Sequence, residues 1–278
     1  MIEPAWKPFS LGLGLFAKPQ GRYDPSMSLP LILLSNDDGY RSRGLSVLAQ
    51  ALAKRAEVVV CAPEVEQSAS SHALSLHRPL RLYSHGDAIY SVDGTPADCV
   101  YVALHAAERV LPRKPDLVVS GLNHGVNLGD DVFYSGTVAA AREAALKGLP
   151  ALAVSAALGA DQDAAAQVCA AIALAMIQER FDRAVLLNVN FPRGTAWEML
   201  GTRLGRRVYE DGVEFRKDPR GREYLWIGGP GVEHREAPGS DTEAFDQGKV
   251  GVTPLVLDLW GRGQQADAER VVQSVAAA

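Results

Sequence analysis

Cysteine is scarce in this chain: Cys61, Cys99 and Cys169 are the only three, none forms a C-x-x-C pair, and the count is odd. That gives no support to a disulfide framework or a zinc site, and it suits a reducing compartment. Cys61 and Cys99 lie in apolar runs and read as packing residues. A basic excess is missing as well. With 28 Lys and Arg against 33 Asp and Glu, the net charge is −5, so no nucleic-acid polymer is expected as partner. A small anionic substrate fits, because one bound cation reverses the local field of an acidic pocket. No apolar run is long enough to cross a bilayer, so no membrane partner is expected either. The one leader-like stretch, Phe9–Ala17 after Lys7, is short, holds two glycines and lacks a small-x-small cleavage site. Residues 1–28 are therefore read as a loose extension, in part an over-long start because Met27 stands just before the first strand. The expected location is the cytoplasm.

What is present is an ordinary globular composition, 47% apolar and 22% charged, on a chain near the upper size for one core. Leu31–Ser35, Val58–Ala62, Leu117–Ser120, Leu152–Ser155 and Val185–Val189 are short apolar runs. Runs of that kind suit strands covered on both faces. Helix patterns near 44–55, 96–109, 137–147 and 162–180 alternate with them, which predicts a doubly wound α/β fold with a mostly parallel sheet. Thr95-Pro96-Ala97-Asp98 marks one helix start by a capping hydroxyl, a proline at the first position and a carboxylate three residues after the cap. Ser135-Gly136-Thr137 opens another, which stops at Gly148 before Pro150. Beyond about residue 195 the character changes. Arg203–Glu236 is rich in charge, glycine and aromatics and predicts hairpins or an extended arm that packs on a neighbouring subunit. Val250–Leu259 reads as a returning strand and Asp267–Val275 as a closing helix.

In open α/β sheets, ligands bind beyond the carboxyl ends of the strands. The first strand ends in Ser35-Asn36-Asp37-Asp38-Gly39. Two adjacent carboxylates repel unless a cation neutralises them, and a hard ion such as Mg²⁺ or Mn²⁺ prefers such oxygen ligands. The same residues also make an ordinary turn. The second strand leads to Gln67-Ser68-Ala69-Ser70-Ser71-His72, a loop whose hydroxyls could meet a metal or a phosphate, although Ser-rich loops are common. The third motif, Gly121-Leu122-Asn123-His124-Gly125-Val126-Asn127-Leu128-Gly129-Asp130-Asp131, combines glycines that admit close approach with two amides, and fits no dinucleotide fingerprint. His124 suits an acid–base role or a structural one. The helix start at Ser135-Gly136-Thr137 offers unpaired N–H groups and a positive dipole end, a natural phosphate seat as well as a plain N-cap. Taken together these strand ends predict a metal and phosphate site, used in metal-assisted hydrolysis.

These stretches resemble the SurE family, the survival-protein nucleotidases. The resemblance is carried by Ser35–Gly39, the loop from Ala62-Pro63 to Ser75, Asp93–Val100, Pro115–Val154, Asp218–Arg222, and Ser240-Asp241-Thr242 leading to Val252–Leu255. It runs from about Leu31 to Trp260. It implies a Rossmann-like three-layer α/β/α core within a single domain over 29–278: core to about 195, arm and return strand to about 262, then a helix. It further implies Asp37 and Asp38 as catalytic residues and metal ligands, with Ser68 and Asn123 completing the shell of one Mg²⁺ or Mn²⁺ per subunit. Asn36, Asn127, Ser135, Gly136 and Thr137 would line the phosphate pocket. The implied activity is hydrolysis of nucleoside 5′- and 3′-monophosphates, with short polyphosphate as a further substrate. The implied assembly is a homodimer or homotetramer with exchanged C-terminal elements. Tyr40-Arg41-Ser42-Arg43 is more basic than the corresponding family segment, and Ala69 stands where many members have Gly.

Two other readings share the fold. A response-regulator receiver needs a phosphoacceptor Asp after a middle strand, where this chain has Ser-Gly-Leu-Asn, and is much shorter. A non-catalytic nucleotide-binding module remains compatible with the same sheet.

Overall fold

The computed structural model describes residues 29–179, 181, 183–210, 212–228 and 231–276; the expected extension over 1–28 lies outside them. Each apolar run becomes a strand, since a segment apolar on both faces is satisfied only between two covering layers. β1 (Leu31–Ser35), α1 (Arg43–Ala53) and β2 (Glu57–Pro63) come first. A short pair, β3 (Leu82–Ser84) and β4 (Ile89–Val92), precedes α2 (Pro96–His105). Then follow β5 (Leu117–His124), α3 (Gly136–Leu146), β6 (Ala151–Ala156), α4 (Gln162–Glu179) and β7 (Leu186–Phe191).

The expected helix over 96–109 ends earlier, at His105, and its tail is a separate 3₁₀ turn at Ala107–Arg109. Its start is as the sequence predicts: Thr95 and Asp98 cap each other reciprocally, at 3.1 and 2.9 Å.

The C-terminal part adds β8 (Met199–Gly201), β9 (Arg206–Tyr209), β10 (Val213–Lys217), β11 (Glu223–Ile227), β12 (Val232–Arg235), α5 (Asp241–Asp246), β13 (Val250–Leu255) and α6 (Gln265–Ala276). The main sheet has the order β3-β4-β2-β1-β5-β6-β7-β13-β8. From β4 to β7 all pairings are parallel, whereas β3 and β13 run antiparallel to β4 and β7. The returning strand is shorter than expected, ending at Leu255. β10–β11 and β9–β12 form two-stranded antiparallel ribbons outside the main sheet, as the composition of that region predicts.

Two apolar layers hold the sheet. One joins Leu45, Leu48 and Leu52 of α1 with Cys169, Ala173 and Met176 of α4; the other joins Val100 and Ala103 of α2 with Val138, Ala141 and Ala144 of α3. The spacing Leu45, Leu48, Leu52 is one helical stripe, and it is what presses α1 flat on the sheet. This sandwich holds the carboxyl ends of β1, β2, β5 and β6 at one rim, with the α3 start beside β1.

Candidate active site

β1 carries Leu31–Ser35 fully into the core, so the next residues leave the sheet at the rim with little solvent. Asn36 is wholly buried and its amide donates to Gly39 O at 3.0 Å and Ser42 Oγ at 2.8 Å. Its geometry is that of a brace which shapes the β1–α1 turn, with both donor contacts spent on the chain itself. Asp37 follows at 5% exposure, and its carboxylate accepts from the Thr137 hydroxyl. Asp38 is half-buried and accepts from the His124 backbone N–H at 3.2 Å. The adjacent acids therefore face two different elements: Asp37 the α3 start, Asp38 the end of β5.

The α3 start comes within contact of Asp37. A Cβ at Gly136 would sit 2.9 Å from Asp37 Cβ and 2.9 Å from Ser70 Oγ, so only glycine fits between them. Ser135 caps the helix through its hydroxyl, which accepts from Val138 N at 3.0 Å. Thr137 directs its hydroxyl to Asp37. The first turn of this helix is buried, with Thr137 wholly enclosed and its backbone as well as its hydroxyl turned to the Asp37 carboxylate.

The loop after β2 is fastened on both sides. Gln67 N donates to Asp37 O at 2.8 Å, and Ser71 N to Tyr134 O at 3.0 Å. Ser71 Oγ donates to Phe133 O at 2.7 Å, and His72 Nε2 lies 2.8 Å from Glu143 Oε2 on α3. Ser68, the expected hydroxyl ligand, is exposed and donates to Glu66 Oε1 at 2.8 Å. Ser70 was not singled out by its sequence, yet its hydroxyl is buried against Gly136 with no hydrogen-bond partner among the described residues.

Asn123, at the end of β5, donates its amide N–H to Gly125 O at 3.1 Å. That leaves the amide oxygen as the atom a cation would meet. Asn127 is placed differently from a pocket wall. It is 8% exposed, its amide donates to Ser155 Oγ at 2.8 Å, and its backbone is clamped by β7. Asn190 Oδ1 accepts from Asn127 N at 2.7 Å, while the Asn188 and Asn190 amides both donate to Asn127 O, at 2.8 and 3.0 Å. These two asparagines escaped the sequence reading because Val185–Val189 reads as a plain apolar strand and their partner Asn127 lies 61 and 63 residues away in the chain.

Burial decides the electrostatics. It pushes the Asp37 carboxyl from 3.8 up to about 6, with Asp38 adding to the rise and the Thr137 hydrogen bond opposing it. Burial likewise raises Asp38, with Glu66 adding and the His124 N–H opposing. Two neighbouring carboxylates held this way favour a cation between them. Among the described residues no group of three or more His, Cys, Asp or Glu could hold a metal. A carboxylate pair with hydroxyl and amide oxygens fits a hard divalent ion, and the unpartnered Ser70 hydroxyl adds one more oxygen beside Asp37.

Comparison with known proteins bears on the whole rim. The family model described as survival protein SurE matches residues 32–211. The 5'-nucleotidase SurE of Sorangium cellulosum (strain So ce56) is 62% identical over 235 residues, covering 83% of this chain and 91% of that protein. The 5'-nucleotidase SurE of Anaeromyxobacter sp. (strain Fw109-5) is 52% identical over 231 residues, covering 82% and 90%. The crystal structure of the SurE protein from Aquifex aeolicus aligns with a TM-score of 0.75 at 36% identity, covering 87% of this chain and 99% of that one.

Proposed function

Because the chain belongs to the survival protein SurE family, we propose that it is a metal-dependent 5'-nucleotidase, a phosphomonoesterase of the acid-phosphatase type. It releases phosphate from nucleoside 5′-monophosphates, with 3′-monophosphates and short polyphosphate as further substrates. The observation that carries this reading is the contact of the buried Asp37 with the α3 start through Gly136 and Thr137. An anion seat and a cation seat share one wall there, which is what a metal-bound phosphate ester requires.

In this reading Asp37, Asp38, Ser68 and Asn123 hold one Mg²⁺ or Mn²⁺. When bound, the ion neutralises charge on the phosphate oxygens and makes water a better nucleophile. The residues of the chain do the rest. The backbone N–H groups at Gly136 and Thr137 hold phosphate oxygens and stabilise the charge that builds there in the transition state. Gly136 lets the α3 start pack directly on Asp37 and Ser70, since any side chain there would collide with them. Thr137 orients Asp37 by its hydroxyl, and the His124 N–H does the same for Asp38. Asn36 and Asn127 support the pocket from behind, through the turn and the loop they brace.

No helix among the described residues is long and apolar enough to cross a membrane, and Cys61, Cys99 and Cys169 are free and buried. The free, buried thiols fit a reducing compartment, and the cytoplasm is the location proposed. Exposed apolar side chains on the arm and the last helix, among them Phe215, Trp226, Ile227, Val272 and Val275, support a homodimer or homotetramer that exchanges C-terminal elements.

Turnover of AMP and of p-nitrophenyl phosphate with and without added Mn²⁺ tests the proposal. Metal-stimulated release of phosphate from both is expected. A well-folded chain inert toward both at saturating Mn²⁺ and Mg²⁺ contradicts it, and favours a binding module.

A further inference from the structure

Outside the pocket, one buried cluster joins the arm to the anion seat. Gly129–Phe133 forms a 3₁₀ turn just before the α3 cap. In it Asp131, 7% exposed, accepts from Leu128 N at 3.3 Å, from the Arg207 guanidinium and from the Tyr209 hydroxyl. Arg207 and Tyr209 both stand on β9, more than seventy residues away in the chain. Burial, with Asp131 adding to it, pushes the Tyr209 hydroxyl up to about 12, so it remains a donor throughout the working range.

The backbone of Asp131 continues the connection. Its carbonyl accepts from Tyr134 N and from Ser135 N, each at 3.0 Å, and Ser135 is the cap that sets where α3 begins. A second buried carboxylate ties the same pieces. Asp241, wholly buried, accepts from Gly129 N at 3.0 Å and from Gly205 N at 2.6 Å. The two backbones nearly touch: a Cβ at Gly129, whose φ is +52°, would lie 3.0 Å from Gly205 O and 3.1 Å from Arg207 N.

A carboxylate this deeply buried keeps its place only while its donors stay paired. The turn before the anion seat is therefore held by the root of the arm, not by α3 alone. Neither Arg207 nor Tyr209 belongs to the proposed metal and phosphate machinery.

We propose that Arg207 and Tyr209 are positioning residues which, through Asp131, fix the Ser135–Thr137 helix start against the Asp37–Asp38 pair, so that seating of β9 sets the affinity for phosphate. The proposal rests on the functional reading above, in which Ser135–Thr137 receives the phosphate.

The test uses the full chain and three variants: Arg207→Lys, Tyr209→Phe and both together. Five quantities are read: KM and kcat for AMP, the inhibition constant of inorganic phosphate, the Mn²⁺ concentration for half-activation, and amide exchange over 128–137. Misplacement of a binding group by a fraction of an ångström to one ångström costs roughly ten- to a hundredfold. KM and the phosphate inhibition constant are therefore expected to rise about tenfold in Arg207→Lys, less in Tyr209→Phe and more in the double variant. Half-activation by Mn²⁺ stays within about twofold, and exchange quickens at 129–135. If Arg207→Lys does not fold, Tyr209→Phe, which removes one hydroxyl, carries the comparison alone. An unchanged phosphate constant in folded variants overturns the proposal, as does a parallel shift of the phosphate and Mn²⁺ constants. A wild-type chain without phosphatase activity sinks the functional reading instead, and the exchange data then decide the proposal: unaltered exchange at 129–135 overturns it.

Discussion

Asp37→Asn separates the account from a merely structural role for the acidic turn, because it should change stability and metal response in opposite senses. In the metal-free chain burial raises the Asp37 carboxyl from 3.8 to about 6. The folded state thus binds this proton more tightly than the unfolded state. The stability contributed by the protonated group is fully present below about pH 4 and is lost as pH rises through about 6. The shift corresponds to about 3 kcal/mol by pH 8. Asparagine keeps the shape of the side chain and can still accept from Thr137, but carries no charge to bury. In EDTA at pH 8 the variant is therefore expected to be more stable than the wild type by up to about 3 kcal/mol, or roughly 6–12 °C in Tm. At pH 4 the difference should vanish. Added Mn²⁺ should reverse the order at pH 8, since a ligand at a hundred times its Kd stabilises by about 2.7 kcal/mol and the variant has lost a carboxylate ligand. Thermal melts at both pH values, with EDTA or Mn²⁺, read all of this. A variant less stable than wild type in EDTA at pH 8, or one with an undiminished Mn²⁺ response, refutes the reasoning.

Two further outcomes follow from the same geometry. Gly136→Ala places a methyl group 2.9 Å from Asp37 Cβ and Ser70 Oγ, so kcat/KM should fall about a hundredfold while stability drops by about 1–3 kcal/mol; steady-state kinetics beside a urea titration check it, and unimpaired kinetics would contradict it. Asn190→Ala removes the partner of the buried Asn127 N–H, which should cost about 1–3 kcal/mol, seen as a lower urea midpoint with an unchanged slope.

The parallel core was legible because strands such as Leu31–Ser35 and Leu152–Ser155 are apolar on both faces, a pattern that few other settings allow. The starts of α2 and α3 were legible for a local reason as well: a cap hydrogen bond is made within three residues, so Thr95 with Asp98 and Ser135 with Val138 need no distant partner. The short edge strand Leu82–Ser84 was not, since its three residues are all exposed and nothing in them alternates. In the site, Asp37 and Asp38 stood out as neighbouring charges, but a row of hydroxyls gave no means of telling Ser70 from Ser68. Ser70 gains its meaning only from Gly136, which is contributed by another loop. Asp131 and Asp241 stood within stretches the sequence singled out, but their roles did not show, because their partners lie far along the chain: Arg207 and Tyr209 for one, Gly129 for the other. Asn188 and Asn190 were hidden in the same way, as their polar face is covered by the loop that carries Asn127. Local chemistry announces itself in sequence, whereas a buried polar network appears only when the fold closes over it.

The most direct measurement is the anomalous difference map of crystals soaked in Mn²⁺. One peak is predicted at the rim of β1 and β5, coordinated by Asp37 and Asp38 with oxygens from Ser68 and Asn123. A map with no peak between the two aspartates, or with the ion bound elsewhere and Asn123 turned away, would contradict the account.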